Sequence, residues 1–243
     1  MPPPALRIDQ VTKRFGPLTA LAEVDLEVDQ GDFFGLVGMN GAGKTTLIKC
    51  LLDANRAEEG QIELFGIPST RTEARSSIAF VPERFNAPFY ATGRDFLRLM
   101  LRLYGQRYDE ALARSTIASL DLDAAALDKP VRAFSKGMTQ KLGLACALLA
   151  GRPMLVLDEP TSGLDPKARA LLKAVLRERH AGGATVFITS HALADVDEMC
   201  GRMAVLHRGR LRYLGSPAQL RASHGDASLE QAFLRLIDEP RAA

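Results

Sequence analysis

The chain has 243 residues, 47% of them hydrophobic, enough to bury a full core and too apolar for a disordered polymer. Its 31 basic and 29 acidic side chains leave a net charge of +2, so the overall charge gives no support to nucleic-acid binding. Cys50, Cys146 and Cys200 are odd in number and in no metal-ligand spacing, which reads as small buried residues in a reducing compartment rather than a disulfide framework or a zinc site.

In chain order, the opening Met1-Pro2-Pro3-Pro4-Ala5-Leu6 lacks the basic and apolar regions of a signal peptide. The longest apolar stretch, Leu142 to Ala150, falls well short of a membrane span. The expectation is a cytoplasmic chain whose membrane work would need a partner. Leu6-Arg7-Ile8 and Thr19 to Val28, where Leu21, Val24, Leu26 and Val28 point to alternating strands, predict an N-terminal antiparallel sheet that Gln61 to Phe65 joins. Phe33-Phe34-Gly35-Leu36-Val37 predicts a buried strand. It runs into Gly38-Met39-Asn40-Gly41-Ala42-Gly43-Lys44-Thr45, followed by a predicted helix over Thr45 to Leu52.

Buried strand, glycine-rich turn and helix start together make a phosphate-binding loop. Gly38, Asn40, Gly41, Ala42, Gly43, Lys44, Thr45 and Thr46 are the candidate nucleotide contacts. Backbone N–H groups and the positive helix end would face the phosphates, Lys44 would reach the β and γ oxygens, and Thr45 would hold Mg²⁺.

Ile78 to Val81 is a short strand stopped by Pro82. Thr92 to about Leu127 reads as helices, with Phe96, Leu97, Met100, Leu101 and Tyr104 on one face. Arg94, Arg98 and Arg102 fall on another, read as a solvated face against the alternative of anionic lipid or a partner. A helix from Ser135, strand Met154 to Leu157, helix Pro166 to His180, strand Thr185 to Thr189 and helix His191 to Met199 then alternate. Such alternation predicts an α/β fold: a mostly parallel sheet, an N-terminal antiparallel β subdomain and an inserted helical subdomain. The expected boundaries are a core at 1–84 and 151–215, a helical subdomain at 85–150 and a helical tail at 216–243. In that tail Leu229, Phe233, Leu236 and Ile237 form a stripe expected to pack back on the core.

The strand Met154-Leu155-Val156-Leu157 delivers Asp158 and Glu159 to the crevice at the carboxyl end of a sheet. Asp158 would hold Mg²⁺ and Glu159 would polarise an attacking water. Ser135 reads as an N-cap, and a capped helix start is also an anion site. Asp165 before Pro166 caps the next helix in the same way.

Phe134-Ser135-Lys136-Gly137-Met138-Thr139-Gln140, then Asp158-Glu159, then Ser162-Gly163-Leu164-Asp165-Pro166 form an order that resembles the nucleotide-binding subunit of an ABC transporter over nearly the whole chain. The resemblance implies a P-loop NTPase fold, ATP and Mg²⁺. It also implies a dimer, homo- or heteromeric, in which the loop of one subunit and the signature turn of the other enclose each ATP. Ser135 and the amide of Gly137 would then cap the partner's γ-phosphate, His191 would contact it as the switch histidine, Phe15 would stack on adenine, and Asp165 would link the two sites. The catalytic candidates are Glu159, His191 and Lys44; the metal candidates are Thr45, Glu83 and Asp158. His180, His207 and His224 have no such context.

Two departures stand out. Glu83 replaces the family's usual glutamine, keeping an oxygen ligand while adding charge near the phosphates. Ser-Lys-Gly-Met replaces the common Ser-Gly-Gly-Gln, retaining Ser135 and Gly137. These variants resemble exporter-type ATPases for drugs, lipids or polysaccharides, whose integral membrane permease is a separate chain. Phe85, Phe89 and Tyr90 read equally as a permease-docking groove or as a hinge packed into the helical subdomain. A soluble member that remodels nucleic acid or protein complexes and a non-hydrolysing nucleotide-responsive module are the alternatives. The first usually carries paired cassettes or long coiled coils, which this chain lacks, and the presence of Lys44, Glu159 and His191 weighs against the second.

Overall fold

The structure is a computed structural model that describes residues 2–225 and 228–238. Its elements are β1 Leu6–Phe15, β2 Leu18–Val28, β3 Phe33–Val37, α1 Lys44–Leu51, β4 Glu59–Leu64, β5 Ile67–Pro68 and α2 Thr72–Arg75. Then come β6 Ile78–Val81, α3 Gly93–Leu103, α4 Glu110–Ser119, short 3-10 turns at Ala124–Asp128 and Val131–Ala133, α5 Lys136–Leu149, β7 Met154–Asp158 and α6 Pro166–Ala181. The chain closes with β8 Thr185–Ser190, α7 Leu193–Met199, β9 Arg202–His207, β10 Arg210–Gly215, α8 Pro217–His224 and α9 Leu229–Asp238. It divides into two compact units, residues 1–77 with 185–243, and residues 78–184.

In the first unit β1 pairs antiparallel with β2 and β4, as the alternation predicts. Leu6 and Ile8 are buried while Arg7 and Asp9 face out. The odd three-residue step from Leu21 to Val24 is a bulge: the register shifts there and Glu23 takes a left-handed φ of +52°. β3 lies between β8 and β9, parallel to both, and is buried along its whole length, so its sequence is apolar without alternation. Arg208 and Gly209, with φ of +49° and +77°, close the β9–β10 hairpin in a type I′ turn. Helix α9 packs on α7 and α8 with Leu229, Phe233 and Leu236 buried, as the stripe predicts; residues 239–243 of the expected tail lie outside the described residues.

In the second unit β6 and β7 pair in parallel and Pro82 follows the end of β6. Helix α5 is buried from Gln140 to Leu148, and Phe85 settles onto it: a methyl on Gly143 would lie 2.6 Å from the Phe85 ring, which also meets Phe96 edge-on at 5.5 Å. Phe85 is therefore half-buried against α5 and α3, whereas Phe89 and Tyr90 are exposed.

The arginine stripe is not uniformly solvated. Arg94 is ion-paired to Asp128 at 2.7 Å and to Glu110, and Arg98 lies over the Tyr108 ring at 5.1 Å; Arg102 is exposed. Cys50, Cys146 and Cys200 are buried and unpaired by disulfides. Burial pushes the Cys50 thiol up to about 11 and Cys146 to about 12, and raises Cys200 further. No helix of the described residues is long and apolar enough to cross a membrane.

Candidate functional site

The phosphate loop sits where β3 ends and α1 begins, and its glycines answer to packing. A methyl on Gly38 would lie 2.4 Å from the Leu206 carbonyl oxygen and 2.9 Å from Ala42 Cβ. One on Gly43 would lie 2.7 Å from the Ala20 carbonyl oxygen, and Gly43 also holds a φ of +113° that other residues rarely adopt. Gly41, at φ +80°, is required by its backbone rather than by crowding. Ala42 N–H donates to Met39 O at 3.1 Å, turning the loop, and Gly209 N–H donates to Ala42 O at 2.9 Å, anchoring it to the β9–β10 hairpin.

Lys44 opens α1 and is only 7% exposed; its ammonium donates to the Gly38 carbonyl at 2.6 Å. The first turn of α1 holds no acidic residue, so its positive end is not neutralised from within. Asn40, Gly41 and Thr45 are exposed, Thr46 is half-buried and Ala42 is buried. Phe15, at the end of β1, is 46% exposed rather than core, with Lys13 Nζ 5.0 Å from its ring centroid.

His191 is exposed in the bend after β8, not within the helix that the sequence predicts from it. The Ser190 hydroxyl accepts the Ala192 N–H at 3.0 Å, a local turn that delays α7 to Leu193.

In the second unit β7 ends on Asp158, 2% exposed, and Glu159 follows at 6%. Glu159 takes a left-handed φ of +50°, a conformation that costs a non-glycine residue roughly 1–2 kcal/mol and turns its carboxylate away from the strand's alternation. Ser162 N–H closes this turn on Glu159 O at 3.0 Å. Asp165 then caps α6, accepting Ala168 N–H at 2.9 Å, with Pro166 next.

Ser135 caps α5 by accepting Met138 N–H at 3.2 Å, and a methyl on Gly137 would have Ser135 Oγ as its nearest neighbour, at 4.0 Å. The structure brings this turn to the loop before α6, since a methyl on Gly163 would lie 3.6 Å from Lys136 Nζ. Glu83, beyond Pro82, is exposed. The sequence reading does not single out Leu206 and Ala20, whose carbonyls wall the phosphate loop, and nothing local marks them. Gly209 carried a signal, a two-residue turn between apolar runs.

The donors fit magnesium in kind. A threonine hydroxyl and carboxylates are hard oxygen ligands, and no group of three His, Cys, Asp or Glu that could hold a metal occurs among the described residues. Magnesium is ordinarily bound by one or two carboxylates together with substrate phosphates.

Residues 21–162 match the ABC transporter family. The chain is 37% identical over 223 residues to "ABC transporter ced-7" of Caenorhabditis elegans, covering 91% of this chain and 13% of that protein. It is 39% identical over 207 residues to "Uncharacterized ABC transporter ATP-binding protein sll0415" of Synechocystis, covering 83% and 58%. With "Nod factor export ATP-binding protein I" of Paraburkholderia xenovorans the identity is 37% over 239 residues, covering 96% and 78%.

A solved structure of the ATP binding subunit of an ABC transporter superposes with a TM-score of 0.85 at 29% identity, covering 96% of this chain and 99% of that one. A dimeric ATP-binding cassette in a post-hydrolysis state bound to ADP and Pi shares the fold, with a TM-score of 0.79 at 23% identity, covering 87% and 98%. The chain belongs to the ABC transporter family.

Proposed function

We propose that the chain binds Mg-ATP, hydrolyses it as one of a pair of such cassettes, and thereby drives export through a separately encoded membrane permease. The observation that carries this reading is the phosphate loop. Gly38 and Gly43 fit only as glycines, and a buried Lys44 opens a helix whose first turn holds no acid.

Backbone N–H groups of Gly41 to Thr46 would bind the phosphates, with Asn40 at their edge, and Lys44 would exchange the Gly38 carbonyl for phosphate oxygen. Phe15, exposed, offers its ring to adenine. Thr45, Asp158 and Glu83 would hold magnesium, which when bound neutralises charge on the β and γ oxygens. Glu159 would take the proton of the attacking water, and His191 would hydrogen-bond the γ-phosphate. Ser135 and the Gly137 amide would reach the ATP of the partner subunit, and Asp165 would relay between the two sites. The export direction is supported by the Nod factor relative and by the Glu83 and Ser-Lys-Gly-Met variants. Exposed Phe89 and Tyr90 are the aromatic anchors offered to the permease.

Glu159→Gln tests the reading. The variant should keep ATP affinity, lose about 10²–10⁴-fold in turnover and accumulate an ATP-bound dimer in sedimentation. Unchanged turnover would remove Glu159 as the base.

A further inference from the structure

Helix α7 is seven residues long, barely two turns, and begins two residues after His191. Helices this short do not hold their own shape in water. Its start at Ala192 has no side-chain cap, and its last turn carries Asp197 and Glu198 with no basic residue, the wrong charge for a helix carboxyl end. What fixes α7 therefore comes from its neighbours.

The inner support is β3. A methyl on Gly35 would lie 2.9 Å from Val196 Cγ1 and 3.0 Å from Cys200 Sγ, so α7 reaches the strand only because residue 35 is glycine. Val196 is fully buried there. The outer support is the C-terminal segment, whose helices α8 and α9 both pack on α7. Arg221, in the last turn of α8, pairs with Asp197 and supplies the positive charge that the end of α7 lacks. The segment is itself fastened: Arg235 of α9 donates to the His224 carbonyl at 2.9 Å, and Arg212 of β10 donates to the Leu236 carbonyl at 3.3 Å.

Two contacts thus set the direction of α7, a pivot at Val196 and a tie at Asp197, one residue on and about 100° round the helix. The Ala192 end lies four residues from the pivot, roughly 6 Å along the axis, so a tilt of about 10° would move it by about 1 Å. His191 shares that end, because the Ser190 hydroxyl accepts the Ala192 N–H at 3.0 Å and closes the bend around it. A displacement of about 1 Å in a group that must meet a reacting phosphate can cost about 10²-fold in rate.

We propose that Arg221 is a positioning residue for ATP hydrolysis: through Asp197 it sets the tilt of α7 and hence the place of His191. This rests on the reading of His191 as a γ-phosphate contact. It gives the C-terminal segment, which carries none of the nucleotide-binding residues, a part in turnover. The paired side chains are 30% and 34% exposed, and such an ion pair adds little to stability, so an effect on rate is separable from one on folding.

The test is ATP turnover of the full chain carrying Arg221→Ala, Asp197→Ala, or the exchanged pair Arg221→Asp with Asp197→Arg, each with His191 intact and with His191→Ala. Either single variant should lower kcat about fivefold to tenfold, leave KM for ATP within about twofold and shift the melting temperature by less than about 3 °C. The exchanged pair should recover most of the rate. With His191→Ala the same variants should cost nothing further, because they act through that side chain. Hydrogen exchange, which needs no activity, should quicken over residues 190–196 and stay unchanged over the phosphate loop. Wild-type turnover in Arg221→Ala, an equal loss with and without His191, or unchanged exchange over residues 190–196 would overturn the role of Arg221 alone. His191→Ala hydrolysing ATP at the wild-type rate would remove the reading of His191, and this role with it.

Discussion

At the start of α1 a methyl on Gly38 would lie 2.4 Å from a backbone oxygen, whereas at the start of α5 a methyl on Gly137 would meet nothing nearer than 4.0 Å. Both helices open with no acidic residue in the first turn, and both are proposed to face phosphate. The first is fixed by its own chain: Leu206, Ala20 and the Gly209 N–H press on it from three sides. The second is capped by Ser135 and otherwise open. A loop that must aim several N–H groups before its ligand arrives has to be built by its own fold. A turn that completes a site on another molecule needs only to be presented, and whatever restricts it comes from the partner.

That difference can be broken at either end. Gly38→Ala should have the largest effect, because the colliding atom is backbone and cannot swing away. We expect a loss of about 3 kcal/mol or more in thermal or denaturant unfolding, with ATP binding abolished. A soluble Gly38→Ala protein with near-normal stability would show that the loop is looser than its packing implies.

Gly137→Ala should behave oppositely. Removing a glycine from an open helix turn leaves stability unchanged or raises it by up to about 1 kcal/mol. ATP binding by the single subunit should persist, while turnover falls about tenfold as the added methyl intrudes on the partner's nucleotide. Equal turnover in the wild type and Gly137→Ala would place the second half of the site elsewhere.

The sequence showed the local elements more fully than the long-range geometry. The loop, the Ser135 and Asp165 caps and the strand ending on Asp158 were all legible, because each depends on neighbours within a few residues. The bulge at Glu23, the Ser190 turn ahead of α7 and the β9–β10 hairpin were not read, although the last two carry local signals. Arg94 was out of reach. Its carboxylate partners lie 34 and 16 residues away, and only the fold turns one arginine of an apparent stripe into the centre of an ion network. Lys136 over Gly163 is the same kind of fact: both residues stand in recognised motifs, but only tertiary structure puts one against the other.

The smallest effect tests how firmly the open turn is held. Asp121 takes a left-handed φ of +55° and bridges Lys167 of α6 to Lys141 of α5. The Lys167 hydrogen bond is the largest influence holding its carboxyl below the usual range. A carboxylate lowered in this way stabilises the folded state above its ordinary pKa and loses that contribution as pH falls through the lowered value. Asn tolerates the left-handed region as Asp does, so Asp121→Asn removes the charge and spares the backbone. The melting temperature should drop slightly at neutral pH, by an amount that shrinks in about 1 M salt and vanishes once the pH has fallen below the lowered carboxyl value. A drop that persisted unchanged at low pH would assign it to packing rather than to the Asp121 charge.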